Sequence, residues 1–126
     1  MLTDGKHITD EELLQDIKSM RYTWFNGDVF SYNGGRHAYV RLAAQPGKNG
    51  RKRYYLGKGP RGSHRKRTIS AAKFIWMIVN RQVLPAGHEV DHIDENNMND
   101  HPSNLRALPY EENRSRFHKD ENEVPF

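Results

Sequence analysis

"EVDHIDENNMNDHPSNLRALPYEEN", residues 89–113, sets an Asp-His pair, a run of Asn and Asp and a second Asn-bearing segment within 25 residues. "HEVDH" (88–92) has the make-up of a short strand following a Pro/Gly turn, and "NLRAL" (104–108) of another. The polar "IDENNMNDHPS" joins them. Pro109 then opens a helix, "PYEENRSRFHKD", because proline is tolerated in a first turn where no N–H is needed. Glu111 and Glu112 suit the positive end of that helix. Two strands and a helix closed across a long loop would bring Asp91, His92, Asn104 and Asn113 together. A lone Asp-His pair is usually nothing, and a lone Asn usually satisfies turn backbone. The combination is what points to chemistry.

The rest of the chain supplies a context for that stretch. With 126 residues, 35% of them hydrophobic, it has room for one domain, 1–126, and one modest core. It contains no cysteine, so disulfides and Cys-ligated zinc are excluded. The longest apolar run, "FIWMIV", is too short to span a bilayer, and no signal-peptide pattern opens the chain. An intracellular protein with no membrane association is expected.

The formal charge of +4 conceals a strong asymmetry. Residues 1–20 carry a net −3, residues 21–81 a net +13 and residues 82–126 a net −6. An interspersed surface does not segregate this way. A +13 block beside an acidic one suggests a polyanion-binding face next to a cation-handling site, and nucleic acid is the natural polyanion.

"TDEELLQDIKSM" (9–20) reads as a helix with Thr9 and Glu12 as a capping box. Leu13, Ile17 and Met20 would face the core. From residue 21 to 67 the pattern is a basic β-sheet and loop. "YTWF", Asn26-Gly27 and "DVFSY" form a hairpin signal, since both turn positions need positive φ. Further runs, "RHAYVRLAA" and "RYYLGKG", give a small antiparallel sheet of three or four strands. Alternation puts Arg36, Ala38, Val40 and Leu42 on one face and His37, Tyr39 and Arg41 on the other. Arg36, Tyr39, Arg41, Arg51 and Arg53 are candidate nucleic-acid contacts, against the bland alternative of a solvated sheet face. "GKGPRGSHRKR" (57–67) is a glycine-rich basic loop in which Lys58, Arg61, Arg65, Lys66 and Arg67 could approach phosphates. Its spacing does not fit an NTP-binding loop. Thr68 or Ser70 then caps a helix, "ISAAKFIWMIVNR", apolar nearly all round, with Ala71, Ala72, Phe74, Ile75, Trp76, Ile78 and Val79 as the expected core. The tail from Lys119 is expected to fray.

Residues 87–113 resemble the HNH endonucleases, whose ββα-metal motif has the form "VDHIDGN…NLR…EN". His92 matches the first family His, Asn104 the central Asn twelve residues on, and Asn113 the final His-or-Asn nine residues further. Asp91 matches the acidic residue beside the first His. The preceding "TISAAKFIWMIVNRQVLPAG" is similar to the helix and turn that go before the motif in phage- and intron-encoded, homing-type members. The resemblance implies an α+β fold, with a small antiparallel sheet, helices and a C-terminal ββα-metal motif within 68–118. It implies a metal-dependent DNA endonuclease acting on double-stranded DNA as a monomer, with a dimer as the alternative.

The residue types suit that chemistry. Asp91 and Asn113 offer hard oxygen ligands to one divalent cation, Mg²⁺ by preference and Mn²⁺ as an alternative. Histidine is the side chain whose charge ordinarily changes near neutral pH, so His92 is the candidate to take a proton from water as general base. Asn104 would hydrogen-bond the imidazole and fix its tautomer, and Arg106 would point at the phosphate. His88 and His101 match no zinc spacing, and no structural zinc is expected. The chain departs from the motif at Glu95, where glycine is usual after "HID", and at Leu108-Pro109, where a Ser/Thr cap is usual. The competing readings are a non-catalytic DNA-binding module and a nuclease acting on RNA or structured nucleic acid.

Overall fold

The structure, a computed structural model, describes residues 7–59 and 65–114. In chain order it contains α1 (Asp10–Lys18), β1 (Tyr22–Phe25), β2 (Asp28–Asn33), β3 (Ala38–Leu42), β4 (Gln45–Pro46), β5 (Lys52–Lys58), β6 (Arg65–Ser70), α2 (Ala71–Asn80), β7 (His88–His92) and β8 (Leu105–Pro109). Residues 110–114 are helical and lead out of β8. All strand pairing within these elements is antiparallel, in three groups ordered β1-β2-β3, β4-β5-β6 and β7-β8. The α+β class is as expected. The single sheet of three or four strands is replaced by two three-stranded sheets, since the chain leaves strand pairing at Ala43 and Ala44, between β3 and β4.

α2 organises the interior. It meets α1, β1, β5, β6, β7 and β8, and its Phe74 and Met77 are fully enclosed. The Tyr22 and Tyr54 rings meet Phe74 edge to face, with centroids 5.1 and 5.8 Å away. Burying one Phe of this kind contributes about 2–3 kcal/mol. Ala71, Ala72, Ile75, Trp76 and Ile78 are buried as expected, but Val79 is 46% exposed while Met77 is at 0%. Val79 continues the stripe of Ala72 and Ile75, being seven and four residues beyond them. It lies in the last turn, however, and from Val79 to Arg81 the chain is exposed. Direction alone therefore did not settle its burial. Ser70 supplies the cap, accepting the Lys73 N–H at 3.2 Å.

α1 starts on the expected capping box: the Thr9 hydroxyl accepts the Glu12 N–H, and the Glu12 carboxylate accepts the Thr9 N–H, each at 3.1 Å. Leu13 and Ile17 are buried, whereas Met20 lies past the helix at φ 68 and is half exposed. The helix ends before Met20 can return to the core face. The Asn26-Gly27 hairpin forms with φ of 50 and 95. Val40 and Leu42 are partly buried and Tyr39 and Arg41 exposed, as alternation requires. Arg36 and His37 leave the pattern, since they belong to the 34–37 turn, where His37 takes φ 51.

The largest revision concerns residues 57–67. The described part of that stretch belongs to the paired arms of β5 and β6, in register from Arg53↔Ser70 to Lys58↔Arg65. α1 lies against that hairpin through ion pairs. Lys58 meets Asp16 at 3.1 Å, Arg65 meets Glu12 at 2.7 Å, and Asp10 takes Arg67 at 2.6 Å and Lys73 at 3.0 Å. Arg61 and the tail from Lys119 lie outside the described residues. Among the described residues, no helix is long and apolar enough to cross a membrane.

Candidate active site

The β7–β8 hairpin fixes the site. Its register places Asp91 opposite Arg106 and His92 opposite Leu105. The Tyr110 N–H bonds to the Gly87 carbonyl at 2.8 Å, which ties the start of the helical residues to the turn before β7. Asp91, His92, Asn104 and Asn113 are each at least nine-tenths buried, and they are the buried polar residues among those described. Asp91, His92 and Asn113 line one cleft of about 410 Å³ together with Arg51, Glu89, Glu95, Asn97 and Arg114. The structure thus brings these three side chains together.

Asn104 does something other than hold the imidazole. Its carboxamide oxygen accepts the Asp94 N–H, and its nitrogen donates to the Asp94 carboxylate and to the Asn99 carbonyl, all at 2.9 Å. The Ile93 N–H bonds to the Asn104 carbonyl at 2.9 Å, so one residue closes the neck of the whole 93–104 loop. Hydrogen bonds from the Asn99 side chain, then the Asn96 backbone and Asn104, hold the Asp94 carboxyl below its ordinary pKa, keeping the clamp's anchor ionised. The expected bond to His92 is replaced by one to Asp100, whose Oδ1 lies 2.8 Å from Nε2. A carboxylate can only accept, so Nε2 carries a proton, and in the neutral ring this leaves the lone pair on Nδ1. Nothing in the sequence sets Asp100 apart from the other acids of the loop. Only the closed neck brings it back to the ring.

Asp91 accepts from Arg106 Nε at 2.9 Å, so Arg106 braces a carboxylate where a free phosphate contact was expected. Asn113 donates through Nδ2 to Glu89 Oε1 at 2.6 Å, and its Oδ1 is buried with no hydrogen-bond partner. An unmet buried carbonyl costs about 1–3 kcal/mol. Together with the Asp91 carboxylate, that oxygen fits a hard divalent cation, which takes oxygen donors and keeps waters in its remaining positions. No group of three His, Asp or Glu side chains suited to a metal occurs among the described residues. The Asp91–Asn113 pair offers two donors, one a carboxylate and the other a carboxamide oxygen. His88 bonds to the Ala86 carbonyl and lines a neighbouring cleft with His92, outside the cleft of Asp91 and Asn113, while His101 bonds to Ser103 and abuts Trp24.

The basic candidates divide sharply. Lys58, Arg65, Arg67 and Arg106 are engaged by carboxylates, and exposed Arg41 lies 3.7 Å from Asp28. Arg53 stacks over Tyr55, and the Tyr39 hydroxyl donates to the Met20 carbonyl. Arg36 and Lys66 are exposed. Of the described β-sheet and hairpin candidates, Arg51 alone lines the cleft with Asp91, His92 and Asn113. It also lines the neighbouring cleft on the Lys73 side of His92.

A two-stranded hairpin followed by a helix, carrying Asp-His on the first strand and Asn on the helix, defines the ββα class of nuclease folds. Residues 74–115 match the HNH endonuclease family. A solved structure described as "DNA binding and cleavage by the HNH homing endonuclease I-HmuI" is similar at a TM-score of 0.60 and 25% identity. The likeness covers 79% of this chain and 53% of that one, so the chain spans about half the length of that structure. No curated protein matches the chain. Residues 74–115 thus resemble an HNH endonuclease segment, and the fold of the chain is similar to that of an HNH homing endonuclease.

Proposed function

We propose that the chain is a metal-dependent endonuclease that hydrolyses one strand of double-stranded DNA per encounter. The observation that carries this reading is the shared cleft of Asp91, His92 and Asn113, with the Asn113 Oδ1 buried and unpartnered. In this reading His92 Nδ1 removes a proton from the attacking water, while Asp100 on Nε2 fixes the tautomer and stabilises the imidazolium that results. Asp91 and Asn113 hold one divalent cation, Mg²⁺ or Mn²⁺. When bound, that ion supplies charge stabilisation for the phosphorane and for the departing 3′-oxygen. Arg51, on the wall of the same cleft, meets the scissile phosphate. Hydrolysis leaves 5′-phosphate and 3′-hydroxyl ends, and a monomer with one such cleft nicks. DNA binding by the related homing endonuclease supports the choice of partner.

Supercoiled plasmid incubated with the chain and Mg²⁺ or Mn²⁺ should convert to open circle, and EDTA should abolish the conversion. His92→Ala should slow it by about 10²–10⁴-fold, the usual contribution of a general base. Equal turnover by His92→Ala, or cutting that survives EDTA, would sink the assignment. Cleavage of RNA but not of plasmid would move the substrate class and leave the site intact.

A further inference from the structure

The function proposed above uses Asp91, His92 and Asn113 and leaves Glu89 without a part. From the geometry we infer that Glu89 is a positioning residue that selects the orientation of the Asn113 carboxamide and thereby makes Asn113 a metal ligand. This rests on the metal reading of the cleft.

Glu89 sits two residues before Asp91 on β7, so both side chains leave the same face of the strand. It lines the cleft with Asp91 and Asn113, and its Oε1 takes the Asn113 Nδ2 at 2.6 Å. An asparagine amide has two ends of nearly equal shape and opposite character, and the neighbouring groups decide which end faces where. A carboxylate has no hydrogen to give, so it accepts only the nitrogen end. The oxygen end is thereby turned to the other side, where it is buried and meets no donor. Without Glu89 the amide could flip and present N–H groups, which cannot bind a cation. Groups that orient a ligand in this way typically change metal affinity by about 10–100-fold when removed.

The test is Mn²⁺ binding to the full chain, followed by loss of the free-ion electron paramagnetic resonance signal, beside melting curves for each variant. Glu89→Gln keeps the length but can offer N–H to Asn113. Glu89→Asp keeps the charge but is one methylene short of the 2.6 Å contact. Both are expected to weaken Mn²⁺ binding by at least about tenfold with the chain still folded. The double exchange Glu89→Gln with Asn113→Asp keeps the total charge and reverses the hydrogen bond. The new carboxamide on β7 then donates to one oxygen of the new carboxylate and leaves the other oxygen to the cleft. This pair is expected to restore binding to near the wild-type level.

Wild-type affinity in Glu89→Asp would show that charge alone suffices, and the positioning role would be wrong. A double exchange as weak as Glu89→Gln would overturn it equally. Wild-type protein that binds no Mn²⁺, or binds it unchanged after Asn113→Ala, would instead remove the metal reading itself.

Discussion

Glu95 is the residue at which the chain departs from the usual glycine of its motif, and the backbone there has kept the conformation that glycine favours. Its φ is 64, in the left-handed region, and its N–H closes the turn onto the His92 carbonyl at 2.9 Å. A side chain in that region costs about 1–2 kcal/mol, partly offset because glycine loses about 0.5–1 kcal/mol more on folding. Glu95→Gly should therefore stabilise the fold by about 0.5–1 kcal/mol and raise the Tm by about 2–4 °C. A lower Tm in thermal denaturation would mean that the contacts of the Glu95 side chain outweigh the strain. At this scale residue identities were legible in the sequence and hydrogen-bond partners were not. Spacing singled out Asp91, His92 and Asn113. It could not replace Asn104 by Asp100 beside the imidazole, because a hydrogen bond across a long loop depends on how the neck of that loop closes.

Among the elements, α1 was the most legible and β6 the least. The Thr9–Glu12 box is a local signal that tertiary packing did not override. "RKRTIS" opens on three charges and runs straight into "AAKFIW", so its strand character is hidden; it became a strand because β5 offers it a partner along its whole length. That pairing also decides what the charges of α1 do. The hydrogen bond from Arg65, then that from the Thr9 N–H, pulls the Glu12 carboxyl down to about 2 from an ordinary 4.5. Burial pushes Asp10 upward, but the hydrogen bonds from Lys73 and Arg67 outweigh it and leave it lowered. A depressed carboxyl pKa means that the unfolded chain binds the proton more readily. The stabilisation is therefore complete above pH 4.5 and is lost as pH falls towards 2. Glu12→Gln should lower the Tm at neutral pH and leave it unchanged at pH 2. An equal loss at both pH values would assign the effect to shape, leaving the ion pair without a part.

For the whole molecule, the +13 block contains two distinct populations of cations among the described residues. Lys58, Arg65, Arg67 and Lys73 are engaged by the acids of α1, while Arg36, Arg51, Arg53 and Lys66 have no carboxylate partner among the described residues. The block was visible in the sequence, but its division was not. It depends on α1 folding back across separations such as the 53 residues from Glu12 to Arg65. Arg51→Ala should slow nicking at least about tenfold, the effect of losing roughly 1.4 kcal/mol of transition-state stabilisation, while the Tm changes little. Arg65→Ala should lower the Tm and leave the nicking rate of the folded protein near wild type. The reverse pattern, read from nicking rates and melting curves side by side, would exchange their roles.

The docking of α1 also orders events in time. During synthesis the nine residues of α1 leave the ribosome well before their partners, since Lys58 follows Asp16 by 42 residues and Arg65 follows Glu12 by 53. A helix of that length is marginal by itself in water. It therefore waits as a fluctuating segment with its carboxylates hydrated, and it is completed only when β6 emerges and the hairpin closes. A segment made early thus settles only with strands made well after it.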